Sequence, residues 1–120
     1  MTLEPCEERK FVRLFATPDY DAWLIAWSPS AALEAHDHGG SSGAVHVVDG
    51  FLFETYVDRG TGGETITKVR ATGDTFEVPA HRIHEVWNGG RGVTLTVHVY
   101  SPPLEHMEFF DLDGGVPTPK

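Results

Sequence analysis

The chain has a single cysteine, Cys6, in 120 residues. That excludes an intramolecular disulfide and any cluster of thiolate metal ligands. Basic side chains are scarce as well: nine Lys and Arg against 18 Asp and Glu leave a formal charge of −9 and a pI near 5.1. Nucleic acid and anionic membranes call for a basic surface, so neither is an expected partner. A solubilising acidic exterior accounts for the charge. No apolar run approaches the length that crosses a bilayer, and the opening MTLEPCEERK lacks the apolar stretch of a signal peptide. A cytoplasmic protein is the expectation. Helical periodicity is missing almost throughout; residues 3–10 are compatible with one short helical turn. Repeats, linkers and low-complexity tracts are absent too.

What the sequence does have is turns and alternation. Its 13 Gly and 8 Pro divide stretches in which side chains alternate with the period of a strand. FVRLFA comes first, closed by a TPDY turn with Pro18 fixing φ at the second position. DAWLIAW, AVHVV and FLFETYV follow, the last two divided at Asp49-Gly50, a two-residue hairpin signal. TITKVR, TFEVP, HRIHEVW after a kink at Pro79, and VTLTVHVY, ended by SPP, complete the set. The closing LEHMEFFDLDGGVPTPK offers one edge strand at most, with EFFDLD as a solvated acidic edge. Eight or nine short strands of this spacing predict an all-β fold, a small antiparallel β-barrel or sandwich. One domain is expected over 1–120: an N-terminal segment over 1–10, the barrel over 11–112 and a tail over 113–120. Trp23, Trp27, Trp87 and Met107 belong in its core or in a pocket wall.

The seven histidines are not spread evenly. His36 and His38 are two residues apart, so in an extended chain both rings leave the same face and can share one divalent cation. Asp37 points the other way. A third ligand has to come from elsewhere, and GDTFEVPAHRIHEVWN offers both His81 and His84. His46 points outward by the same alternation, and His106 reads as a surface residue. In VTLTVHVYSPP, Val93, Leu95, Val97 and Val99 form an apolar face, while Thr94, Thr96, His98 and Tyr100 form a polar one. If the polar face lines a barrel lumen beside the metal, His98 and Tyr100 are a hydrogen-bonded pair aimed at it.

Two spacings tie these residues together. Gly73, Pro79, His84 and Asn88 fill G-x5-P-x4-H-x3-N, and His36, His38 and Gly50 fall in G-x5-H-x-H-x4-E-x6-G, with Ser30 at its first glycine and Gly43 at its glutamate. These resemble the two motifs of the cupin superfamily, a double-stranded β-helix in which the histidines hold a metal. The resemblance selects His84 as the third ligand and implies a site of three histidines without a carboxylate. Neutral imidazoles leave the full charge of a divalent ion for exogenous ligands, which suits a thiolate. An isomerase or ring-cleaving dioxygenase on this scaffold would be expected to keep the glutamate. A non-catalytic metal-binding cupin, a sensor or small-ligand binder, would not need His98 and Tyr100.

HDHGGSSGAVHVVDGFLFE, HEVWN and TVHVYSPP together resemble the cysteine dioxygenase family in its shorter bacterial form, over about residues 11–107. That likeness implies iron(II), with nickel or zinc possible after purification, bound by His36, His38 and His84. It implies a small thiol and O2 as substrates and a sulfinic acid as product. Thr96, His98 and Tyr100 match the family's Ser-His-Tyr relay. FVRLF resembles the strand carrying the arginine that clamps the substrate carboxylate, which makes Arg13 the candidate, with Arg9 the nearby alternative and a structural ion pair the competing role. A family tyrosine two residues before that arginine is Phe11 here. Animal members carry a cysteine cross-linked to the active-site tyrosine where this chain has Gly43, so Tyr100 is expected unmodified. The arginine points to L-cysteine first and 3-mercaptopropionate second, since relatives that prefer the mercapto acid tend to have glutamine there.

Overall fold

A computed structural model of the protein describes residues 9–58, 63–111 and 118–119. Their strands are β1 (Arg9–Ala16), β2 (Asp21–Trp27), β3 (Ala32–His36), β4 (Ser42–Asp49), β5 (Phe51–Asp58), β6 (Glu64–Ala71), β7 (Thr75–Val78), β8 (His84–Trp87), β9 (Thr94–Ser101), β10 (Phe110–Asp111) and β11 (Thr118–Pro119). There is no helix among the described residues, so none is long and apolar enough to cross a membrane. The strands form a five-stranded sheet in the order β1-β2-β9-β4-β7, a four-stranded sheet in the order β3-β8-β5-β6, and the pair β10-β11. All ladders are antiparallel. The all-β expectation holds.

Alternation decides what lies between the sheets. Ile25 and Trp27 of β2, Leu52 of β5, Val86 of β8 and Ala31 form one buried cluster joining the two layers. Val45 and Val47 of β4 pack with Phe76 and Val78 of β7. On β9 the polar residues Thr94, Thr96, His98 and Tyr100 are the buried ones, and Leu95, Val97 and Val99 are half-buried on the other face.

Four local expectations are corrected. Arg9 and Lys10 open β1 instead of forming part of a helical turn; the rest of that turn, and Cys6, lie outside the described residues. Asp49-Gly50 is not a hairpin: β4 pairs with β7 and β9, β5 with β6 and β8, so the chain turns a corner from one sheet to the other. Gly50 has φ 102°, and a Cβ there would lie 2.4 Å from Thr94 Oγ1, a close approach that only glycine allows. HRIHEVW is not one strand after a kink: Arg82 N–H donates to Pro79 C=O at 3.1 Å in a turn with His81 at φ 68°, and β8 begins only at His84. The closing segment supplies two short strands, not one. Before them it straps over the end of β3, with Asp37 N–H donating to Glu108 C=O at 2.9 Å and Phe109 bridged to His36, so EFFDLD is not merely a solvated edge.

Candidate metal centre

His36 ends β3 and His84 begins β8, and the two are register partners across that ladder. His38 follows two residues beyond the strand end. The three rings are buried, and a ligand atom from each lies within 4.8 Å of the others. His36 Nε2 and His38 Nε2 are 3.2 Å apart. Imidazole bonds of about 2.1 Å to a first-row ion, at right angles, set neighbouring nitrogens about 3 Å apart. The sequence therefore places its three metal candidates together, and the donor set fits a divalent ion. His81 is exposed in the Pro79–Arg82 turn, and His46 and His106 are exposed as well.

For two of the three rings the outer nitrogen fixes how the ring faces inward, while His38 Nδ1 is buried without a hydrogen-bond partner among the described residues. His36 Nδ1–H donates to the Glu34 carbonyl at 2.6 Å, and His84 Nδ1–H donates to Glu54 Oε2 at 2.9 Å. Both rings then turn Nε2 lone pairs toward the common point, the carboxylate–histidine arrangement that orients metal ligands. Glu54 is fully buried and also receives Arg70 Nη2 at 2.7 Å and Nε at 3.1 Å, both on Oε1. Burial pushes its carboxyl up, but the hydrogen bonds from His84 and Arg70 overcome this and hold it below the ordinary range. Neither Glu54 nor Arg70 was expected. The available signal was an acidic residue on the Leu52–Tyr56 face of a strand otherwise buried there.

Behind the cluster stands a chain of hydrogen bonds on β9. Trp27 Nε1–H donates to Thr96 Oγ1 at 2.9 Å, Thr96 Oγ1 lies 2.7 Å from His98 Nε2, and His98 Nδ1 lies 3.2 Å from Tyr100 Oη. Indole can only donate. Thr96 therefore accepts from Trp27, and its own proton is satisfied only by donation to His98 Nε2. This assigns the Nδ1–H tautomer to His98, which donates to the Tyr100 oxygen and leaves the phenol proton free to donate elsewhere. Burial raises the Tyr100 hydroxyl pKa well above the usual tyrosine range, so the proton stays on. Trp27 as the origin of this relay was not expected; Thr96, His98 and Tyr100 were.

A cavity of about 110 Å³ adjoins the three histidines, lined by His98, Tyr100, Trp23, Leu104, Met107 and other apolar side chains. Among the described residues, Arg9 is the one Lys or Arg in its wall, and no acidic residue lines it. Arg13 is absent from the wall: it is exposed, with its guanidinium 5.5 Å from the Trp23 ring. Arg9 and Arg13 share a face of β1, but Arg9 pairs opposite Trp27 and Arg13 opposite Trp23. Arg9 lies 5.5 Å from the Trp27 ring, and Trp27 stacks on His98. The carboxylate-binding candidate thus moves from Arg13 to Arg9. Trp27 is buried core and Trp87 stacks on Phe53 outside the cavity.

Burial, followed by the neighbouring charge of His84, lowers His38 to about 3. Burial, followed by the charges of His38, His84 and Arg9, lowers His98 to about 3. His36 is pushed down by burial and then by His84 and His38. An unfolded histidine takes its proton near 6.5, so between about pH 6.5 and 3 the unfolded chain binds more protons and stability falls with pH. At about 1.4 kcal/mol per group per pH unit, His38 and His98 alone cost roughly 3 kcal/mol for each unit below about pH 6. The melting temperature of metal-free protein should drop steeply over that range in calorimetry. A flat profile would contradict three buried neutral imidazoles.

The sequence model of the family described as "Cysteine dioxygenase type I" matches residues 6–113. Among solved structures, a recombinant oxalate oxidase in complex with glycolate superposes with a TM-score of 0.71 at 17% identity, over 85% of this chain and 55% of the other. The chain thus spans little more than half of that protein. TT1209 from Thermus thermophilus gives 0.70 at 22% identity, over 81% and 86%, and KdgF from Halomonas sp. gives 0.69 at 20%, over 85% and 84%. These likenesses establish the fold, a cupin.

Proposed function

The chain belongs to the cysteine dioxygenase type I family, and on that premise we propose that it is an iron(II)-dependent thiol dioxygenase. Family and three-histidine cluster together make it a metal-dependent enzyme. The finer reading is that a small thiol carboxylate reacts as RSH + O2 → RSO2H, both oxygen atoms ending on sulfur. The observation that carries it is an all-imidazole cluster opening onto a cavity whose one permanent cation, among the described residues, is Arg9.

His36, His38 and His84 would hold the iron, which when bound supplies the one-electron chemistry that O2 requires. Arg9 binds the substrate carboxylate, a pairing worth more with a planar guanidinium than with an ammonium, and so sets the thiol end toward the cluster. The apolar wall excludes water and strengthens that pairing. The Tyr100 O–H, kept in place by His98, donates to negative charge developing on oxygen as it moves to sulfur. Thr96 and Trp27 hold the His98 tautomer that frees this proton.

L-Cysteine is the first substrate candidate. A second is 3-mercaptopropionate, which has no α-ammonium to be matched by an acidic residue; none is among the described residues of the wall. Aerobic incubation of iron(II)-loaded protein with cysteine, 3-mercaptopropionate and cysteamine should give a mass gain of two oxygens for the acids, and far less for cysteamine, which has nothing for Arg9 to hold. Arg9→Gln should lower kcat/KM for the acids by about ten- to a hundredfold, as loss of a charge-assisted pair implies, while Arg13→Gln should change it little. No oxidised thiol from protein shown to contain iron would overturn the reading.

A further inference from the structure

β1 is an edge of the five-stranded sheet, paired among the described residues on one side only, with β2. Edge strands are normally kept short or charged, because a row of unpaired backbone groups invites another chain. β7, at the opposite edge, is four residues long. β1 runs for eight, without proline or acid; it carries Arg9, Lys10 and Arg13 and an irregularity between Arg13 and Phe15, yet it is exposed on both faces: Phe11, which also lines the cavity, by 52%, Val12 by 56%, Leu14 by 47% and Phe15 by 49%. Tyr20, packed edge-on against Phe15, adds to the patch.

We propose that this edge is the interface of a two-fold dimer, in which β1 pairs antiparallel with β1 of a second copy and the two five-stranded sheets become one. The strand is complementary to itself. Centred on Val12, the pairing sets Phe11 opposite the second copy's Arg13, and the reverse, with Val12 opposite Val12; cation and ring are an attractive pair. Centring on Phe11 would instead oppose Arg9 to Arg13, and centring on Arg13 would oppose that residue to itself, both like-charge contacts. Half-exposed aromatic rings leave about 100 Å² each to bury, so the patch offers roughly 400 Å² of apolar surface per copy. At about 60% apolar area that corresponds to a total interface of roughly 1,300 Å², within the range of specific association. A closed, isologous pair is also the commonest oligomer.

Sedimentation of the full chain at micromolar concentration should give twice the chain mass. Val12→Lys places two ammonium groups face to face and should halve that mass, with circular dichroism and metal content unchanged. In a Cys6→Ser background, Val12→Cys should cross-link two copies under mild oxidation and Lys10→Cys should not. A wild-type monomer, or a dimer indifferent to Val12→Lys, overturns the proposal. Cross-linking through position 10 in place of 12 overturns the register. Neither measurement reads enzymatic oxygen transfer to a small thiol, so the proposed activity can fail without affecting this result.

Discussion

Glu54→Gln should release metal from the site while every metal ligand is still present. The carboxylate is the sole described partner of His84 Nδ1 and is fully buried, with Arg70 on its other oxygen. A glutamine keeps the shape but can offer one carbonyl where two donors now point, and its amide N–H groups meet another N–H. Loss of such a partner typically costs ten- to a hundredfold in metal affinity. Stability suffers as well: removing one member of a buried ion pair costs about 3–5 kcal/mol. The low end applies here because Arg70 is partly exposed, at 18%, and rests on Phe76. Metal analysis after dialysis and thermal melts of the metal-free form separate the two effects. Wild-type affinity in the variant would mean that His84 is oriented by packing alone.

Tyr100→Phe should produce the opposite signature: full metal content, near-normal KM and a kcat lower by about 10²–10³, the usual loss for one preorganised donor aimed at developing charge. The metal candidates are the three imidazoles, and the hydroxyl is engaged by His98 Nδ1 at 3.2 Å, so affinity has no reason to change. The variant leaves the His98 N–H without its acceptor, which costs about 1–3 kcal/mol of stability and should appear as a lower melting temperature. Oxygen-electrode kinetics alongside iron content test this directly. Wild-type turnover in the phenylalanine variant would remove Tyr100 from the reaction.

Much of this was legible in the chain because it is written locally. Alternation gave the strands, the two-residue spacing brought His36 and His38 together, and the inverted pattern of β9, polar side in, located the relay. What was not legible depends on register between distant segments. An Asp-Gly step looks the same whether its strands pair with each other or leave for different sheets, and here Thr72 and Thr94, which receive the N–H groups of Gly50 and Phe51, belong to the corner. Arg9 and Arg13 lie on one face of one strand, and only the ladder to β2 shows which of them reaches the cavity. Glu54 meets Arg70 across β5 and β6, a pairing no spacing rule announces.

The ladder between β4 and β9 carries a consequence for how such sites diverge. Gly43 and Tyr100 are register partners, and a Cβ on residue 43 would stand 3.1 Å from two carbons of the phenol ring. A side chain at 43 therefore asks the Tyr100 ring to give by a few tenths of an ångström, and whether the ring can move decides what the position accepts. Any residue larger than glycine there acts on the phenol that His98 and Thr96 hold in place.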